Sequence, residues 1–198
     1  MTADEFVSLV GPELTHVTAA ANVAVIRALG LLRPVELAVR ARVAVEHLIL
    51  REAPLQLTMP EGVALLNHQR PLRAGHRADF LEGMTLADWG AQLDGRVFFW
   101  PGRVRQAFRA SVAARGDVAV LRVNARQLWA HCAPMIDLAP INTGAATRRP
   151  VRRGLGIYVP VTASVAAFRQ ARGRRDRVVE VSVRCDVPAT LITDVAQN

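Results

Sequence analysis

Glu180 stands in the middle of VVEVSV, residues 178–183, the strongest β segment of the chain. A carboxylate is costly to bury unless it is paired, so at that position it needs either water or a purpose. Two readings stay open. On an edge strand with one wet face, Glu180 lies on the solvated side; projecting into a cleft, it is kept ionised by arginines or has its pKa raised by burial. His16 poses a similar choice in LTHVTAAANVAVIRALGLLRP, where His16 and Thr18 close a short apolar run just ahead of a helix. A helix N-terminus favours an anionic ligand, whereas a lone histidine beside apolar residues serves equally as a satisfied interior group. Other chemistries leave no trace. GxSxG is absent, neither Cys132 nor Cys185 neighbours a recognisable base, and Gly154-Leu155-Gly156 lacks the third glycine and following helix of a Rossmann fingerprint. With no HExxH and no His/Cys pair closer than the adjacent His131 and Cys132, no metal is expected.

The elements that must position these residues are legible in the apolar spacing. Phe6, Leu9 and Val10 mark a short amphipathic start that Gly11-Pro12 breaks, and residues 14–18 read as a strand. Residues 19–29 read as a helix, with Thr18 as N-cap, Val23, Ile26 and Leu29 on one face and Gly30 as its stop. Leu37, Ala41, Val45 and Leu48 predict a second helix over 34–51. Residues 52–94 read as loop-rich, with helical pieces near Leu65 and over 85–93, the latter opened by Thr85 and Asp88, and NHQRPLRAGHR as a surface or site segment. RVFFW, 96–100, is a strand whose three aromatics cannot share a face. A helix over 104–115, a strand over 118–123, a helix over 125–131 and a strand over 136–138 follow. Asn142-Thr143-Gly144 reads as a turn, 157–161 as a strand and 171–177 as an exposed turn. Short strands mixed with helices, without βαβ alternation, predict one α+β domain spanning 1–198.

Composition narrows the class. The chain has 198 residues, enough for a core without staples, and its 51% hydrophobic residues include no uninterrupted apolar run of spanning length. The acidic start MTADEFVSLV lacks the features of a secretory signal, so a cytoplasmic protein without membrane association is expected, with two free thiols. The net charge of +8 suggests an acidic partner such as nucleic acid. All 25 basic residues are arginine, which GC-rich coding favours as readily as phosphate binding does, and dinucleotide phosphates attract the same side chains.

Taken together, these stretches resemble the ADP-ribosyltransferase superfamily. LTHVTAAANVAVIRALGLL is similar to the opening motif of DarT-type DNA ADP-ribosyltransferases and RNA 2'-phosphotransferases, matched at His16, Thr18, Asn22, Ile26, Gly30 and Leu31. RRDRVVEVSVRCDVPATLI looks like the DarT-type strand bearing the catalytic glutamate, matched at Glu180, Val187, Pro188 and Ile192. The blocks NHQRPL, GMTLADWGAQLDGRVFFW and INTGAATRRPVRRG resemble an uncharacterised bacterial family within or near that superfamily, over residues 12 to 195.

The resemblance implies an α+β fold with a split β-sheet core and NAD+, as substrate, held between its halves without metal. It implies Glu180 as the catalytic residue. His16 and Thr18 would contact the adenosine and ribose, with Asn22 and Asn142 among the dinucleotide contacts. An aromatic ring of Phe98 to Trp100, taken as Phe99, would stack near the nicotinamide, and Arg70 or Arg153 would hold the pyrophosphate. The acceptor implied is a nucleic acid, DNA or RNA, and an antitoxin or macrodomain hydrolase is an implied partner. Relatives with a tyrosine on the aromatic strand differ here, since the sole tyrosine is Tyr158. A non-catalytic nucleotide- or nucleic-acid-binding protein of the same fold is the rival reading, and an RNA 2'-phosphotransferase a third.

Overall fold

The first helix shows how local sequence sets the elements. In α1 (Ala3–Val10), Thr2 Oγ1 accepts the Glu5 N–H while the Glu5 carboxylate accepts the Thr2 N–H, a reciprocal cap that satisfies two otherwise orphaned donors. The structure, a computed structural model, describes residues 1–73, 80–102, 117–146, 151–171 and 177–197. After α1 come β1 (Glu13–Ala19), a 3₁₀ turn (Ala20–Asn22), α2 (Val23–Leu29) and α3 (Pro34–Arg40). The hairpin β2 (Leu55–Met59) and β3 (Gly62–Leu66) follows, then α4 (Arg70–Arg73), α5 (Leu86–Asp94) and β4 (Val97–Pro101). The remainder is β5 (Val118–Asn124), α6 (Ala125–Cys132), β6 (Ile136–Ala139), β7 (Val159–Pro160), α7 (Val165–Ala171), β8 (Glu180–Val183) and β9 (Ile192–Gln197).

Seven strands form one sheet in the order β7-β6-β8-β4-β1-β5-β9, every neighbouring pair antiparallel, and β2-β3 stands apart. The chain is therefore an α+β protein. Val181 and Val183 of β8, Ile136 and Leu138 of β6, and Phe99 of β4 point into the main core with Phe6, Leu128 and Phe168. Full burial of each such side chain contributes roughly 1.5–3 kcal/mol. A second cluster packs Val25, Leu37 and Leu48 onto Leu57, Met59, Ala64 and Leu66 of the hairpin. A third joins Leu72, Trp89 and Leu93 to Tyr158 over the opposite face of β6.

Several expectations are corrected. The helix expected over 34–51 ends at Arg40, because Arg42 turns into the left-handed region at φ 56° and the Val43 N–H bonds back to the Ala38 carbonyl. Val45–Leu48 then makes only a 3₁₀ turn. The helical piece near Leu65 is instead β3, since Leu57 and Met59 alternate inward opposite Ala64 and Leu66 across the turn at Pro60 and Glu61. The Thr18 hydroxyl takes the Asn22 side-chain amide and does not cap the helix. The strand over 157–161 shrinks to β7 because Leu155–Ile157 forms a 3₁₀ turn. α7 and β9 are elements that the apolar spacing does not predict. The helix expected over 104–115 lies outside the described residues, as does most of the 171–177 turn. Among the described residues no helix is long and apolar enough to cross a membrane.

The segments that follow α2 and β8 meet at Gly30. There φ is 86°, and an added Cβ would lie 2.3 Å from the Val187 carbonyl oxygen, so only glycine fits. The Leu31 and Val187 backbones exchange hydrogen bonds of 2.8 and 2.9 Å, tying the end of α2 to the segment after β8.

Candidate functional site

β1 and β4 pair only through Leu14 with Pro101 and Thr15 with Trp100. Beyond that point the strands part, and the His16 ring takes over from the ladder, its Nδ1 2.8 Å from the Phe98 carbonyl oxygen. A carbonyl only accepts, so Nδ1 carries the proton and Nε2 keeps its lone pair. Burial lowers the His16 pKa, with the Phe98 hydrogen bond opposing in part, so the ring is neutral near pH 7. Its edge meets Phe99, with centroids 5.9 Å apart.

The parted strands open a cavity of about 520 Å³, within the range of small-molecule sites. The central sheet contributes His16 and Thr18 of β1, Phe98 and Trp100 of β4, and Glu180 of β8 to the cavity lining. The lining also includes Ala64–Leu66 of the hairpin, residues 67–69, Arg51 and Asp94, and Asn142, Gly144 and Ala145.

Glu180 is 2% exposed, on a strand flanked by β6 and β4, which removes the wet-edge reading. Its Oε1 accepts the Thr143 hydroxyl at 2.5 Å and lies 3.4 Å from the Thr143 backbone nitrogen. Burial raises the Glu180 pKa to about 7; the Thr143 hydrogen bonds and the positive charges of Arg153 and Arg96 hold it from rising further. Arg96, beneath the same sheet face, donates to Asp137 at 2.5 Å and Ser182 at 3.1 Å and lies 3.9 Å over the Tyr158 ring. Tyr158 is pushed up, first by burial and then by the Glu180 charge.

The segment facing Glu180 is held from behind. Arg153, 3% exposed, donates through Nη1 to the carbonyls of Asn142, Thr143 and Ala145, and the Trp89 indole N–H also reaches the Thr143 carbonyl at 3.3 Å. Opposite, Arg51 Nη1 pairs with Asp94 at 2.8 Å while its Nε donates to the Asn67 carbonyl. Gln69 completes the Asp94 shell at 2.9 Å. Burial raises the Asp94 pKa against the pull of Arg51 and Gln69.

Of the candidate residues, the structure brings Glu180, His16, Thr18, Asn22 and Asn142 onto one cavity. Asn22 is already occupied: its Nδ2 donates to Thr18 Oγ1 and the Leu65 carbonyl, and its Oδ1 accepts the Leu65 N–H at 2.6 Å. It thereby pins the hairpin to the end of β1. Arg153 braces the 142–145 segment from outside the cavity lining, and Arg70 is exposed and off the wall. Phe99 is fully buried in the core, while Phe98 and Trp100, on the alternate face, line the cavity.

Sequence reasoning missed Arg51, Asp94 and Thr143. Arg51 fell at the end of an expected helix and Thr143 in an expected turn, and neither position carried a local signal of its partner.

Several polar atoms of the cavity lining have no described protein partner and are not sealed off. Among them are His16 Nε2 and Glu180 Oε2 as acceptors, and Asn142 Nδ2 and Arg51 Nη2 as donors. Among the described residues no group of three His, Cys, Asp or Glu side chains is arranged to hold a metal ion.

The fold and site define an α+β protein whose central sheet presents a buried carboxyl and a neutral histidine to one ligand-sized cavity. The chain belongs to the Family of unknown function (DUF7002), which it matches over residues 12–192, from Pro12 just before β1 to Ile192 at the start of β9. No curated protein gives a significant match.

Proposed function

We propose that the protein is an NAD+-dependent ADP-ribosyltransferase whose acceptor is a nucleic acid. The observation that carries this reading is Glu180: a carboxyl 2% exposed, lining a cavity of about 520 Å³ together with a neutral His16. A dinucleotide needs few but directed polar contacts inside a largely apolar enclosure. His16 Nε2 accepts a ribose hydroxyl or an adenine amino proton, and Asn142 Nδ2 donates to a ribose or amide oxygen. Arg51, with Nη2 unused, suits the pyrophosphate better than the occupied Arg153 or the outlying Arg70. Phe98 or Trp100 supplies the stacking face.

The chemistry follows from charge. As the bond between ribose C1' and the nicotinamide nitrogen breaks, its electron pair leaves with neutral nicotinamide and positive charge develops on the sugar. The ionised Glu180 carboxylate accepts a ribose hydroxyl proton in a hydrogen bond and stabilises that charge. The acceptor's nucleophilic atom then bonds to C1' and releases its proton to solvent. Because Glu180 acts ionised, transfer increases as pH rises through about 7.

A chain with net charge +8 suits a polyanionic acceptor. An antitoxin or macrodomain hydrolase remains part of this proposal as partner. The rival reading, a non-catalytic binding module, draws on Asn22 and Thr18 being satisfied by each other and by Leu65.

The test incubates purified protein with NAD+ and separate pools of single-stranded DNA, RNA and protein. Mass gain of one ADP-ribose and nicotinamide release are scored against Glu180→Gln. Modification of a nucleic acid pool that vanishes in the variant supports the proposal. NAD+ binding without nicotinamide release from any pool would overturn it in favour of the binding module.

A further inference from the structure

Thr143 is fully buried and directs every polar atom it has. Its hydroxyl and backbone N–H both face Glu180 Oε1, at 2.5 and 3.4 Å, while its carbonyl accepts from Arg153 Nη1 at 2.9 Å and from the Trp89 indole at 3.3 Å. Here the donors from α5 and from residue 153 fix the peptide, and the peptide fixes the hydroxyl.

The consequence is asymmetric. Glu180 Oε1 is engaged by Thr143, whereas Oε2 has no protein donor among the described residues and is not sealed off. We infer that Thr143 is the positioning residue for Glu180, holding Oε1 so that Oε2 is the single oxygen turned to the ligand in the cavity. The inference deepens the transferase reading and rests on it for its catalytic meaning, though the geometry is independent of that reading.

The other groups facing the carboxyl are Arg96 just before β4, Arg153 behind Thr143, and the Tyr158 hydroxyl. None of the two arginines donates to it directly. Arg96 spends Nη1 on Asp137 and Ser182, and Arg153 spends Nη1 on backbone carbonyls. Thr143 is thus the sole hydrogen-bond donor to Glu180 among the described residues, and removing its hydroxyl loosens the hold on Oε1 and makes the carboxyl harder to ionise.

The experiment follows the Glu180 carboxyl by carbon-13 NMR in protein labelled at the glutamate side-chain carboxyl carbon, the resonance assigned by its loss in Glu180→Gln. Thr143→Val, which keeps the N–H and removes the hydroxyl, should move the titration midpoint upward by about one pH unit. Thr143→Ser should restore it. In the transfer assay, Thr143→Val should lower kcat near pH 7 with KM little changed and regain activity at higher pH, while Thr143→Ser retains the wild-type profile. A midpoint unchanged by Thr143→Val overturns the inference. Should that variant not fold, the wild type still decides: the Thr143 hydroxyl proton must titrate with the Glu180 carboxyl, and one that stays still overturns the inference equally. Absence of transfer by the wild type would instead count against the transferase reading, which the carboxyl titration does not need.

Discussion

Replacing Glu180 by Gln should stabilise the fold above pH 7 and change it little near pH 4.5. In the unfolded chain this carboxyl titrates near its ordinary value of 4.5, while burial moves it to about 7 in the folded protein. Between those values the folded state holds a proton that the unfolded state has released. Stability contributed by the site therefore falls as pH rises through that window and levels off above it. The difference corresponds to about 3 kcal/mol of penalty carried by the wild type at pH 8.5. Glutamine removes the charge but keeps an oxygen for the Thr143 hydroxyl, so the penalty disappears while the hydrogen bond survives. For a chain of this size each kcal/mol moves Tm by about 2–4 °C, giving an expected gain of about 6–12 °C at pH 8.5. Differential scanning calorimetry of both proteins at pH 5 and 8.5 measures it. The same Tm difference at both pH values, or a less stable variant at pH 8.5, would refute the assignment of Glu180 as a desolvated, mostly uncompensated carboxyl.

Two further outcomes test how the cavity is framed. Gly30→Ala places a methyl against the Val187 carbonyl at a glycine-only backbone conformation, and should cost roughly 3 kcal/mol or more, read as a lowered urea midpoint. A midpoint equal to wild type would mean that the segments after α2 and β8 do not pack as described. Asn22→Leu leaves both backbone groups of Leu65 without their partner and should cost about 2–4 kcal/mol. Hydrogen exchange should accelerate across residues 62–66 more than across β5, and uniform acceleration would count against a local clamp.

How much of this was legible in the chain depends on the distance over which each signal acts. The capping pair Thr85 and Asp88, the stop at Gly30 and the run RVFFW are local, and α5, the end of α2 and β4 appear where they predict. The alternation in RVFFW showed that its rings must divide between faces. It does not say which face is the core, and Phe99, expected beside the ligand, is interior. The break at Arg42 and the hairpin at Leu55–Leu66 escaped because apolar spacing there suits helix and strand alike until a second element packs on it.

The site divides in the same way. That Glu180 is a carboxylate in an apolar strand, and that His16 and Thr18 end a strand beside a helix, are properties of short stretches and were readable as such. Whether Glu180 met water or a cavity depended on strand order, because β8 lies inside the sheet between β6 and β4 and no local pattern encodes its neighbours. The same holds for Thr143, 37 positions from Glu180, and for Arg51, 43 positions from Asp94. Those pairings arise from antiparallel register and helix packing, which bring distant residues within hydrogen-bond reach only after the backbone is closed.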